Sequence, residues 1–168
     1  MAGAIGRVQL RKLPRIVGAM RRAKTAIKKG ISGIEGITFR RLNDARGDSA
    51  SFLILTLPDA AVAAKFAQGL NAENIYSGMS PTMRVADFGM HVYSNIHSLV
   101  KKHSNTSDGF PWSLEANRKS VYNYAHGAMP RSDALMGRSI ILPVPSVMTR
   151  QDIQDTIRGI RKVAAGLL

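Results

Sequence analysis

The chain has no cysteine, and only ten of its 168 residues are aromatic. Without cysteine there are no disulfides and no thiolate metal sites, a usage that fits a reducing compartment. No apolar run reaches eighteen residues, so no transmembrane span is expected. The basic N-terminus lacks the continuous apolar stretch of a secretory signal. These absences lead to the expectation of a cytoplasmic, soluble chain. Internal repeats and low-complexity segments are missing as well, which excludes solenoids and tails. What remains is 45% hydrophobic, enough to bury the core of one ordinary domain, and the whole of 1–168 is expected to form one.

Acidic residues are scarce at one end. Residues 1–41 hold eleven Lys and Arg against a single acid, Glu35, a net +10, while the rest of the chain nets only +3. A field of that asymmetry attracts nucleic acid, an anionic membrane surface or an acidic protein partner. It also arises where the matching acidic surface lies on a part not present in the chain. Aromatic-basic strands, zinc spacings and helix-turn-helix signals, which would favour nucleic acid, are lacking. A non-catalytic interaction module, whose basic helix binds nucleic acid or an acidic protein, stays open as the alternative function.

The first thirty residues have a helical period. Ile5, Val8, Leu13, Ile16, Val17, Met20, Ala23, Ile27 and Ile31 trace an apolar stripe, with most of the arginines off it. Pro14 lies inside this pattern and predicts a kink or two helices meeting near Leu13. "GISGIEG" then follows a helix rather than a strand, so it is a C-cap and turn and not a phosphate loop.

An α+β order comes next. "GITFRRL" and "ASFLILTL" are predicted as an antiparallel strand pair joined by the turn residues of "LNDARGDS". Asp59 is placed to cap a helix over "DAAVAAKFAQGLNA". A short strand is predicted in "NIYSGM", a loop over 80–112, a polar helix over "SLEANRKSVYNYAHG" ending at Gly127, and a turn or two of helix in "RSDALMGR". The strand "RSIILPVPSV" stops at its prolines. An amphipathic helix follows, with Thr149 and Asp152 spaced as a capping box and a buried stripe of Ile153, Ile157, Ile160, Val163 and Leu167. The predicted fold is thus a small antiparallel sheet packed by helices, preceded by a long basic helix and closed by an amphipathic one.

Few residues announce chemistry. His91, His97 and His103 recur every six positions, which matches neither one helix face nor a metal-ligand spacing. Nucleophile elbows and P-loops are absent, and Lys101 and Lys102 lack the apolar surroundings that lower a lysine pKa for Schiff-base work. Polar density is nonetheless high in "HVYSNIHSLVKKHSNTSDGFPW", which carries three His, a Tyr, two Asn and the only Trp. Loops of this kind either bind a polar ligand or are simply solvated.

Read in order, the pieces resemble the C-terminal part of the DegT-type sugar aminotransferases, pyridoxal-phosphate enzymes of fold type I. Ala2, Ala4, Gly6, Gln9, Leu10, Lys12 and Leu13 match the segment with which that family leaves its cofactor-binding domain. "GMHVYSNIHSLVKKH" is similar to the family's loop bearing a substrate-facing His, with His97 the best match and His91 the second. Arg138, Leu142, Pro143, Thr149 and Asp152 match its closing strand and helix. The extended "SNTSDGFPW" loop looks closest to the branch that aminates octulosonate sugars of bacterial lipopolysaccharide.

The resemblance implies a connecting helix over 1–30 and an aminotransferase small domain over 31–168. It implies substrate contacts, without catalysis, from His97, His91, Tyr93 and Asn95, acting on a keto sugar that is nucleotide-linked or of octulosonate type. It implies pyridoxal phosphate in the complete enzyme, a homodimer there, and a cofactor-binding domain or second chain as partner. The family's Schiff-base lysine and the Asp that pairs the pyridine nitrogen precede the matched region, and nothing in the sequence replaces them. The expectation is a truncated or split product, inactive by itself, with Met1 an internal methionine or a reassigned start.

Overall fold

The computed structural model describes residues 2–76, 81–118 and 123–168. Four strands and six helices are described, in the order α1 (Ala2–Ile31), β1 (Thr38–Phe39), β2 (Phe52–Thr56), α2 (Ala60–Ala72), β3 (Met83–Arg84), α3 (His97–Val100), α4 (Glu115–Arg118), α5 (Pro130–Gly137), β4 (Ser139–Pro143) and α6 (Arg150–Leu167). The sheet order is β1-β2-β4-β3, antiparallel throughout, which makes this an α+β fold. Among the described residues no helix is long and apolar enough to cross a membrane.

The sheet centre is the β2–β4 pair, with Leu53 opposite Leu142 and Leu55 opposite Ile140. Side chains alternate across a strand, so Leu53, Leu55 and Leu57 share one face, as do Ile140, Leu142 and Val144. That face is covered by Ile27 and Ile31 of α1, Phe66 and Leu70 of α2, and Ile160 and Val163 of α6, all in one buried cluster. The opposite face carries Phe52, with Phe88 edge-on to it at 5.8 Å between ring centroids. It also carries the Thr56 and Ser139 hydroxyls, 3.0 Å apart.

Glycine marks the helix crossings. A Cβ on Gly30 of α1 would lie 2.5 Å from Ile157 of α6, and one on Gly69 of α2 would lie 3.0 Å from Val163. Asp59 caps α2 by accepting from the Val62 N–H at 2.8 Å. The Thr149–Asp152 capping box opens α6 as its spacing predicts. Of that helix's expected stripe, Ile160 and Val163 are buried and Ile153 and Ile157 pack against the core, whereas Leu167 stays exposed in the last turn.

Several expectations need correction. Helix α1 is one helix that includes Pro14, not two helices meeting near Leu13. The proline ring removes one N–H, but there the helix is exposed, so the orphaned carbonyl can bond water. Only the C-terminal part of the predicted stripe is buried, from Ala23 onward; Ile5, Val8 and Leu13 are about half exposed. The "GITFRRL" strand shrinks to two residues because the following loop is drawn toward α1. Arg21 donates to the carbonyls of Arg46 and Asp48, and Lys24 pairs with Asp48 at 2.6 Å. In "NIYSGM", residues 74–76 are not strand and the remainder lies outside the described residues; the strand after α2 is instead β3, Met83–Arg84. The polar helix predicted up to Gly127 is helical at Glu115–Arg118, residues 119–122 lie outside the described residues, and Asn123 and Tyr124 are not helical. Gly127 sits in a turn with φ +95°.

Candidate functional site

The polar segment after β3 is built from three successive 3-10 turns, Val85–Asp87, Gly89–His91 and Tyr93–Asn95, followed by α3. Each turn is one hydrogen-bonded step, so the chain winds tightly across the sheet face opposite the main core. Val92, buried between two turns, anchors it.

Tyr93 is held firmly. Its hydroxyl lies 2.9 Å from both carboxylate oxygens of Asp133 on α5 and accepts from the Met129 N–H at 3.2 Å. The same carboxylate accepts from the Gly127 N–H at 2.9 Å. Partial desolvation, then the hydrogen bond to an anion, raises the Tyr93 phenol above its ordinary value. Asn95 donates from Nδ2 to the Gly89 carbonyl at 3.0 Å and toward the Ala86 carbonyl at 3.4 Å, which orients its Oδ1 the other way. Arg84 forms a two-pronged pair with Asp87, at 2.8 and 2.9 Å, and this contact raises the guanidinium pKa.

These side chains surround one cavity of about 510 Å³, walled by Arg84, Asp87, Ser94, Asn95, His126 and Asp133, with Ala86, Val92 and Ala134 also lining it. The sequence-predicted residues divide around it. Asn95 lines the cavity and Tyr93 reaches it through Asp133. His91 stacks on Phe88 with 4.4 Å between ring centroids and 21° between planes, and is exposed. His97 opens α3, its carbonyl accepting from the Lys101 N–H at 2.9 Å and its side chain exposed; neither histidine lines this cavity. Arg84, Asp87, His126 and Asp133 were not singled out from sequence. Arg84 and Asp87 at i, i+3 are a local signal that could have found one pair. Asp133 and His126 come from more than thirty residues beyond the turns and have none.

The "SNTSDGFPW" loop is tied to itself. Ser104 donates to the Phe110 carbonyl at 2.6 Å, and Trp112 donates from its indole to the His103 carbonyl at 3.1 Å. Among the described residues no group of three His, Cys, Asp or Glu could hold a metal ion.

The lysines decide how the site relates to pyridoxal phosphate. A Schiff-base lysine needs an apolar pocket that favours the neutral amine. The one buried lysine among the described residues is Lys24, and its ammonium is neutralised by Asp48. Lys162 pairs with Glu73, Lys28 lies over the Phe39 ring, and Lys12, Lys29, Lys65, Lys101 and Lys102 are exposed. The described residues therefore do not fit the covalent cofactor.

No known sequence-family profile matches the chain. Solved structures do. The aminotransferase TlmJ from Streptoalloteichus hindustanus superposes with a TM-score of 0.63 at 21% identity, over 99% of this chain and 36% of its own. Spr1654 from Streptococcus pneumoniae, designated a sugar aminotransferase, is similar in two ligand forms. Its PMP form gives a TM-score of 0.61 at 15% identity over 97% of this chain, and its PLP form 0.63 at 14% over 97%. The fold is shared with sugar aminotransferases. The chain spans about a third of the length of the structures it matches.

Proposed function

We propose that the chain is the small-domain portion of a pyridoxal-phosphate-dependent aminotransferase that acts on a keto sugar, nucleotide-linked or of octulosonate type. Residues 1–30 are its connecting helix and 31–168 its small domain. The carrying observation is that nearly the whole chain superposes on about a third of the aminotransferase TlmJ and of the sugar aminotransferase Spr1654. The DegT-type assignment rests on the sequence motifs and agrees with that fold.

In this reading the cofactor, and the lysine that binds it, belong to a domain or chain outside these residues. That group supplies the electron sink for amino transfer. This chain contributes polar contacts from the 84–97 segment: Tyr93 and Asn95 are fixed there, and His91 and His97 are exposed for a substrate that docks from the missing side. The complete enzyme is a homodimer.

The N-terminal half of α1 supports a protein partner over nucleic acid. Ile5, Val8, Leu10 and Leu13 are exposed between Arg7, Arg11, Lys12 and Arg15, and Leu10 is 68% exposed. A phosphate-binding helix needs the cations but has no use for the apolar residues between them. The test is transamination of a keto sugar by this chain alone and joined to its cofactor-binding domain. Activity only in the joined form is expected. Activity of the chain alone, or none in either form, overturns the proposal. Salt-sensitive retention on DNA that is lost on deleting 1–30 would instead establish the nucleic-acid module.

A further inference from the structure

We propose that the cavity between the 84–95 turns and α5 is a hydroxyl-recognition subsite for the uncharged, polyhydroxylated part of a sugar. It deepens the aminotransferase reading and rests on it only for the ligand's being a keto sugar.

The lining has the chemistry that polyols require. A sugar hydroxyl both donates and accepts, and neighbouring hydroxyls are best met by planar side chains with two polar atoms. Asp87 and Asp133 accept. Arg84 keeps N–H donors beyond the two used on Asp87. Asn95, its amide nitrogen engaged by backbone carbonyls, turns Oδ1 toward a second partner. Ser94 and His126 add groups of either sense. Among the lining residues, Ala86, Val92 and Ala134 give a small apolar surface for the C–H face of a ring. The volume of about 510 Å³ lies within the range of small-ligand sites.

Charge sets the ligand class. Two carboxylates face one guanidinium, so the cavity is locally acidic in a chain of net +13. A phosphate or carboxylate is repelled there, while the arginines of α1 lie elsewhere in the fold. The site therefore takes neutral hydroxyls, and an anionic portion of the same sugar points away from it. The wall is also preorganised. The Arg84–Asp87 fork, the Tyr93–Asp133–Gly127 cluster and the Asn95 amide are all fixed by protein hydrogen bonds, so binding loses little side-chain freedom.

The test is amide-detected NMR of the full chain titrated with glucitol, a neutral six-carbon polyol, and with gluconate, which replaces one terminal carbinol by a carboxylate. Saturable shifts are expected at the Asn95 side-chain amide and at Ala134 and Gly137, with gluconate weaker. Ala134→Leu, at an exposed helix position that lines the cavity, fills it and weakens glucitol binding by about tenfold or more. Leu135→Ala, on the next residue outside the lining, leaves it unchanged, and His126→Ala weakens it by about threefold. Shifts confined to His91 and His97, gluconate binding more tightly than glucitol, or wild-type affinity in both Ala134→Leu and His126→Ala overturn the proposal.

The two readings fail separately. If the joined enzyme transaminates a keto sugar with an unaltered KM in Ala134→Leu, the subsite is wrong and the aminotransferase stands. If Ala134→Leu abolishes glucitol binding in a protein whose joined form never transaminates, the subsite stands and the aminotransferase reading falls.

Discussion

The Tyr93 hydroxyl sits 2.9 Å from both carboxylate oxygens of Asp133, a residue forty positions later in the chain. This contact fastens the 3-10 turns to α5 and shapes one wall of the cavity. Because the Tyr93 pKa is raised, the tether is fully present below the free tyrosine value of about 10 and is lost as pH rises through the folded one. Asp133→Asn removes the anion and lowers the phenol pKa, read as an earlier rise in tyrosinate absorbance. Tyr93→Phe is expected to speed hydrogen exchange at the Met129 and Gly127 amides while leaving core amides of β2 and β4 protected. Equal loss across the sheet would mean that the tether is part of the global fold.

The Lys24–Asp48 pair gives a stability prediction. Burial pushes the Asp48 carboxyl up, but hydrogen bonds from Lys24 and the Ala50 N–H, with the nearby charges of Lys24 and Arg40, outweigh it and leave the pKa lowered. Both side chains are largely out of water. Asp48→Asn leaves the Lys24 ammonium buried without its counter-charge and lowers unfolding free energy by about 3 kcal/mol. Lys24→Met combined with Asp48→Asn restores most of it, measured by urea denaturation.

The same pair sets an acid limit. A carboxyl with a depressed folded pKa contributes stability above its unfolded value of about 3.9, and that contribution is lost as pH falls through the folded pKa. Asp152, lowered by the Thr149 N–H and hydroxyl, acts in the same sense. The wild type is expected to lose stability below about pH 4, and Asp48→Asn to lose less of it there.

The α6 cap is separable from the core. Thr149→Ala removes the side-chain acceptor for the Asp152 N–H, 3.1 Å away, and is expected to lower stability by about 1 kcal/mol. Thr149→Ser restores it, and circular dichroism melts of the three proteins check the order.

The capping signals in the sequence read correctly, whereas Pro14 did not divide α1, residues 74–76 are not strand, and the long-range contacts were not legible. Asp59 and Thr149 each act on an N–H three residues on, so their spacing alone placed the starts of α2 and α6. The nearly continuous apolar run of "ASFLILTL" marked the central strand. The shortness of β1 was hidden, because it depends on Arg21 and Lys24 reaching from α1 to a loop more than twenty residues on. The site divides likewise. Tyr93 and Asn95 drew notice by local polarity, but what makes them part of a cavity is Asp133 and His126, which only tertiary contact brings in. His91 and His97 came from the family resemblance, and both are exposed and outside this cavity's lining.

The central claim is that this chain supplies the substrate side of an aminotransferase whose cofactor lysine lies elsewhere. The direct measurement is expression from the native locus with the coding frame extended upstream of Met1, followed by borohydride reduction and peptide mapping. The account predicts a pyridoxal-phosphate absorbance band in the extended product and a reduced cofactor adduct on one lysine that precedes Met1. A stoichiometric adduct on a lysine within residues 1–168, or no pyridoxal phosphate bound by the extended product or by this chain together with a separately encoded cofactor domain, would contradict it.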